Sequence, residues 1–293
     1  MNYQYGKLLS HLTTLKIGGP VFCFIEPENF DEVLEAINVA ESNKKELTVI
    51  GNGSNILFQD RGFDGVVMNL GKGFDFIERD TNGIVRVGSA SPVSKLVTQC
   101  AEWNLGGCEF LLGIPGSLGG ALFMNAGVRG LNDTSSFKEI KDIVLDIDVL
   151  DLKQKKKETL KRYDVPFAYR SSGLDGKCIL GARIKLEHCQ RHGIDKKIDA
   201  YLKKREWIQC LGFPSAGSVF RNPSETDPAA KLIENCGFKG RRIGGAEISK
   251  VHANFIVNVG GAMSKDVLDL IGLVRKSVKD RFGVDLELEL RVI

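Results

Sequence analysis

The sequence predicts an α+β protein, with a two-part α/β domain followed by a smaller C-terminal α+β domain. Three observations carry this. The first third alternates apolar runs of strand length with one helical pattern, the middle holds a period-two pair around a polar turn, and the last third combines two helical segments with a closing alternating strand. The expected boundaries place the first part of the α/β domain at 1–72, the second at 73–188 and the C-terminal domain at 189–293, the last strand being free to pack back on the first domain.

The chain is long enough to bury a substantial core, with 293 residues of which 43% are hydrophobic. Its net charge of +3 arises from 40 basic and 37 acidic side chains, a balance that argues against a general nucleic-acid or membrane surface. No segment approaches the roughly 18 apolar residues of a membrane span, and the start carries no basic-then-apolar leader, so a cytoplasmic protein is expected. The seven cysteines, Cys23, Cys100, Cys108, Cys178, Cys189, Cys210 and Cys236, form no CxxC pair. That pattern fits isolated thiols, and neither a disulfide framework nor a metal site is expected. The oligomeric state stays open, a monomer being compatible with everything read here.

In chain order, Val33, Ile37 and Ala40 share one face of a helix over 31–40, and the apolar run 47–50 then ends at a glycine. Strands follow at 65–70 and 83–87. Ser91 and Pro92 have the chemistry of a helix cap and first helical position for a segment running to Trp103. At 143–152 the sequence IVLDIDVLDL alternates at period two before KQKKKE, a hairpin in which the lysines at 155–157 form an exposed turn. A polar helix is expected over 195–209. A short helix after Pro228 stops at Gly237, and a longer one from Ser264 gathers Val267, Leu270, Ile271, Val274 and Val278 on a core-facing stripe before Gly283. The closing VDLELELRVI alternates as a strand, with Glu287, Glu289 and Arg291 on one face and Leu286, Leu288 and Leu290 on the other.

Thirty-three glycines against eight prolines are clustered rather than spread, and two clusters stand out. GNGSNIL at 51–57 follows a strand, a setting where backbone amides can face a diphosphate, although Ile56 breaks the GxGxxG fingerprint and no GxxxxGK[ST] loop exists. A tight strand-to-strand turn would look the same. GIPGSLGGALFMNAG at 113–127 is harder to explain as a turn: its glycines allow close backbone approach, and Ser117 and Asn125 add a hydroxyl and an amide able to bond a phosphate or a ring edge. The absence of charge suits a large, partly apolar cofactor. Together the loops point to a dinucleotide.

This pair of loops resembles the FAD-binding domain of the vanillyl-alcohol-oxidase type. With TTLKIGGP at 13–20, FAYRSS at 167–172, AGSVFRNP at 216–223 and LELELRVI at 286–293, nearly the whole chain is similar to the UDP-N-acetylenolpyruvoylglucosamine reductase family, in its shorter class by the brief interval between Arg170 and Ser218. The chain stops at Ile293, where the family often continues past a glycine.

The resemblance implies non-covalent FAD as cofactor and NADPH as co-substrate, sharing the pocket of a UDP-sugar substrate whose enolpyruvyl group is reduced. Flavin contacts are expected from Gly51, Asn52, Gly53, Ser54, Asn55 and Ile56 in the first loop. Those of the second are Ile114, Pro115, Gly116, Ser117, Gly119, Gly120, Asn125 and Gly127. Matching the family motifs, Arg170 becomes the arginine on the substrate carboxylate, Ser218 the proton donor and Glu289 the catalytic acid group, with Tyr169, Arg221, Asn222, His252 and Arg291 as substrate contacts. Two other readings compete: a related flavin oxidase or dehydrogenase, in which Cys108 would be the nearest residue for a covalent tether, and a non-catalytic nucleotide-binding protein. The trio Arg170, Ser218 and Glu289 argues against the second.

Overall fold

The computed structural model describes residues 2–131, 137–206, 212–224 and 226–293, with only the backbone of residue 206. Two units emerge, and the division is not at 72 or 188. One comprises Met1–Tyr3, Phe24–Gly51 and Val66–Arg205, the other Gln4–Cys23, Asn52–Gly65 and Glu206–Ile293. The chain passes from one to the other within the strands Val21–Ile25 and Phe63–Asn69.

In the first unit, helix α1 (Phe30–Ser42) is started by Asn29, whose side-chain oxygen accepts the Glu32 N–H at 3.0 Å, and it buries Val33, Ala36, Ile37 and Ala40. A five-stranded antiparallel sheet runs in the order Lys156–Lys161, Val144–Asp151, Lys177–Lys185, Ile84–Gly88, Ile77–Arg79. The anticipated hairpin is its first pair, in register from Asp146 opposite Lys161 to Asp151 opposite Lys156. Ile147 and Val149 are fully buried and join Val85, Val87 and Ile184 under α2 (Val93–Glu102) and α3 (Leu118–Phe123), which contribute Leu96, Cys100 and Leu122.

Ser91 does not cap α2. Its hydroxyl donates to the Phe76 carbonyl at 3.0 Å, and Pro92 is the cap residue rather than the first helical one. A serine hydroxyl can bond a nearby carbonyl instead of accepting a helix amide, and here it takes that of Phe76, just before the strand Ile77–Arg79. Helix α4 (Arg191–Glu206) begins earlier than expected; residues 207–209 and Cys210 lie outside the described residues. The other six cysteines form no disulfide among the described residues.

The second unit holds a sheet in the order Ser215–Ser218, Phe255–Asn258, Ala246–Ile248, Arg242–Ile243, with helices α5 (Ala229–Asn235) and α6 (Ser264–Phe282). The α6 stripe is buried as read, and Gly283 at φ +69° ends the helix in a left-handed cap. Leu15, Ile17 and Leu57 belong to the same core as Phe220, Ile256, Leu270 and Leu286, and Asn258 Nδ2 donates to the Leu15 carbonyl at 3.1 Å. These burials explain why residues 4–23 and 52–65 go with the C-terminal part. Of the closing segment, Arg291–Val292 pairs in parallel with Ile56–Leu57 and Leu288 bridges antiparallel to Phe220, and the alternation persists: Leu286 and Leu290 are buried and Glu287 is exposed. No helix among the described residues is long and apolar enough to cross a membrane.

Candidate active site

The strand Glu46–Ile50 delivers Gly51 to the second glycine loop within the first unit. A Cβ on Gly51 would stand 2.7 Å from Ser117 Oγ and 3.8 Å from Gly120 Cα, so only bare backbone allows the approach. Asn69 Nδ2 fixes the Ile50 and Gly51 carbonyls at 2.8 and 2.9 Å. On the other side, Gly119 is glycine because a Cβ would lie 2.1 Å from Ser89 Oγ.

The second loop uses its amides differently from the sequence expectation. The N–H groups of Leu118 and Gly119 donate to the Ser91 and Ser89 carbonyls, and Gly120 N–H donates to the capping Ser117 hydroxyl at 3.4 Å. Asn125 is likewise spoken for. Fully buried, it donates to the Ala168 carbonyl at 2.9 Å and accepts from Lys141 N–H at 3.4 Å, so its amide ties the loop to the turn at 168–171. What the loops present is an uncharged lining of bare glycine backbone, at Gly51 and Gly120, with half-buried Ile114. That lining fits a flavin dinucleotide's apolar rings.

Arg170 stands in the same unit on a tight turn from Ala168 to Ser171, at φ +54°. Its guanidinium carbon lies 5.2 Å from the Tyr169 ring centroid, and Tyr169 packs edge-on against Phe137 at 6.1 Å. The sequence reading missed Arg205. Its stem crosses Gly113, where a Cβ would be 2.7 Å from Arg205 Cδ, and its buried Nε has no hydrogen-bond partner among the described residues. Burial, then the charge of Arg170, lower its pKa to about 10. Two guanidinium groups sharing one neighbourhood favour an anion. One signal was available: Arg205 closes the basic last turn of α4, Lys203, Lys204, Arg205.

In the second unit, Thr14 links the first glycine loop to the strand that carries Ser218, donating its N–H to the Gly53 carbonyl at 3.1 Å and its hydroxyl to the Ser215 carbonyl at 2.7 Å. Gly53 must be glycine, since a Cβ would lie 2.0 Å from the Leu12 carbonyl. Ser218 follows Gly217 at φ +75° and pairs with Phe255. The next carbonyl, of Val219, accepts from both Glu289 N–H (2.9 Å) and Leu290 N–H (3.2 Å). Asn55 completes the arrangement by donating Nδ2 to the Glu289 carbonyl at 2.9 Å and accepting from Arg291 N–H at 3.1 Å. The structure therefore brings together Asn55, Ser218, Glu289 and Arg291.

Asn254, also missed, braces this ladder. Its side chain exchanges two hydrogen bonds with the Phe220 backbone, at 2.9 and 2.8 Å, while its carbonyl accepts from Val219 N–H. Three expected substrate contacts have internal tasks. Asn222 Oδ1 accepts Ala229 N–H at the start of α5. Arg221 lies 3.8 Å from the Glu287 carboxylate. His252 Nδ1 accepts Asn254 N–H at 3.3 Å, its ring packs on Phe255 at 4.8 Å, and burial followed by nearby Lys239 pulls its pKa down.

The family model of the FAD binding domain matches residues 22–153, across the loop at 113–127. With the uncharged glycine-loop lining, this defines a flavin-dependent oxidoreductase using FAD. The model of the UDP-N-acetylenolpyruvoylglucosamine reductase C-terminal domain matches residues 209–293. Bacillus cereus UDP-N-acetylenolpyruvoylglucosamine reductase 1 is 40% identical over 97% of this chain and 92% of its own. The Desulforamulus reducens reductase is 40% identical over 99% and 93%. The solved Thermus caldophilus enzyme superposes with a TM-score of 0.81 at 33% identity, covering 99% of this chain and 98% of that one. The chain belongs to the UDP-N-acetylenolpyruvoylglucosamine reductase family.

Proposed function

We propose that Arg170, Ser218 and Glu289 are the catalytic residues of an NADPH-dependent reduction of UDP-N-acetylglucosamine enolpyruvate to UDP-N-acetylmuramate, a step of peptidoglycan precursor synthesis. The observation that carries this is the Val219 carbonyl, which takes both the Glu289 and Leu290 amides and so registers Ser218 against Glu289. FAD, when bound, supplies the hydride chemistry between NADPH and the vinyl carbon. Gly51, Ser117, Gly120 and Ile114 would hold it.

The guanidinium of Arg170 provides a rigid, permanently charged fork for the substrate carboxylate, where charge accumulates as the vinyl carbon accepts hydride. Glu289 is the second group that stabilises the same developing enolate. The Ser218 hydroxyl then gives its proton to the adjacent carbon, a base strong enough to take one from an alcohol. Arg205 adds positive charge beside Arg170. Tyr169, Arg221, Asn222, His252 and Arg291 are retained as substrate contacts, with Arg221, Asn222 and His252 also held by the internal partners described above.

The nucleotide-sugar and NADPH chemistry supports a cytoplasmic setting. Steady-state NADPH oxidation should depend on UDP-N-acetylglucosamine enolpyruvate. Equal oxidation without it, matched by oxygen consumption, would favour the oxidase reading instead.

A further inference from the structure

Arg170 owes its position to a turn closed by two backbone bonds, Ala168 N–H to the Ser171 carbonyl at 2.9 Å and Ser171 N–H to the Ala168 carbonyl at 3.2 Å. A non-glycine residue at φ +54° persists only where its surroundings impose that conformation. Two side chains do so here. Asn125 Nδ2 donates to the same Ala168 carbonyl at 2.9 Å, and just beyond the turn Ser172 Oγ donates to the Phe123 carbonyl at 2.8 Å. Asn125 and the Phe123 carbonyl, the far ends of these two bonds, lie in the second glycine loop and its short helix α3. Asn125 is itself fully buried at φ +44°, and its other amide atom accepts the Lys141 N–H.

We propose that Asn125 is a positioning residue for the reductive step: its amide pins the Arg170 turn to the glycine loop and thereby sets the guanidinium for the substrate carboxylate. Ser172 secures the other flank. The inference rests on the role given to Arg170 under the proposed function. It separates Asn125 from the flavin, for which the sequence pattern had suggested it.

The decisive variant is Asn125→Gly, which accepts the positive φ while deleting the amide. In the holoenzyme, flavin content and flavin reduction by NADPH should be unchanged. Reoxidation by UDP-N-acetylglucosamine enolpyruvate should slow on the order of 10²-fold, the cost of an ångström-scale misplacement. Independently of turnover, hydrogen exchange at the Ser171 amide should accelerate. In an Arg170→Ala background, Asn125→Gly should cause no additional slowing, because the two act through one group.

Loss of flavin with equal loss of both half-reactions would overturn the inference, as would an undiminished effect in the Arg170→Ala background. Should Asn125→Gly fail to fold, Ser172→Ala carries the same prediction in milder form, and unchanged reoxidation and exchange in that variant would reject it. Arg170→Ala alone separates the two levels. Intact reoxidation would remove the role of Arg170, whereas slowed reoxidation there with normal Asn125→Gly would remove only the positioning role.

Discussion

Ser218 and Glu289 are held by backbone bonds between adjacent strand segments, whereas Arg170 projects from a turn that two side chains keep in a left-handed conformation. The ladder distributes its restraint over Val219, Leu290, Asn55 and Asn254, so no single side chain near Ser218 sets its place. The turn concentrates restraint in Asn125 and Ser172. Strand-borne groups should therefore tolerate loss of a neighbour with a cost in stability, and the turn-borne arginine should lose function first.

Besides the proton donor itself, the first effect expected from the ladder side is chemical. Glu289→Gln keeps the backbone bond to Val219 and should reduce kcat/KM by about 10²–10³-fold, the scale of removing one group that stabilises developing charge. A change below tenfold would leave Glu289 with no more than a scaffold role. The second effect is one of stability: Asn254→Ala strips two buried hydrogen bonds from Phe220 and should cost roughly 1–3 kcal/mol in denaturant unfolding. Because the Asn254 main-chain bond to Val219 remains, kcat should change little. A collapse of kcat without destabilisation would break the contrast between ladder and turn.

The smallest effect is pH-dependent and lies in the sheet of the unit that carries the turn. Arg183, at 2.9 Å from Asp146, and then Lys161 hold that carboxyl below its usual 3.8 against the opposing effect of burial. A depressed folded pKa means stability that is present above 3.8 and lost as pH falls through the folded value. Asp146→Asn should thus cost about 1 kcal/mol near neutrality, since both cations are partly solvated, with the deficit closing in acid. Unfolding curves for both proteins across pH would check the sign.

The sequence exposed what is local. The αL stop at Gly283, the alternation of 286–291 and the left-handed Gly53 follow from turn geometry and periodicity. Long-range choices were hidden. Nothing local marks residues 4–23 and 52–65 as part of the C-terminal core; Leu15 and Leu57 acquire that identity only through Phe220 and Leu286. Nor can composition tell which backbone group a side-chain amide will take: Asn125 bonds the Ala168 carbonyl, and Asn222 accepts the Ala229 N–H. Arg205 escaped notice because its meaning depends on Arg170 and Gly113, both far away in the chain.

The account's central claim, that Ser218 on its ladder delivers the proton, is tested by rapid-mixing kinetics of Ser218→Ala with the two half-reactions followed separately. Flavin reduction by NADPH should proceed as in the unaltered protein, while reoxidation by UDP-N-acetylglucosamine enolpyruvate should fall by roughly 10²–10⁴-fold, the range for loss of a general acid. Reoxidation at the unaltered rate, or equal loss of both half-reactions, would contradict it.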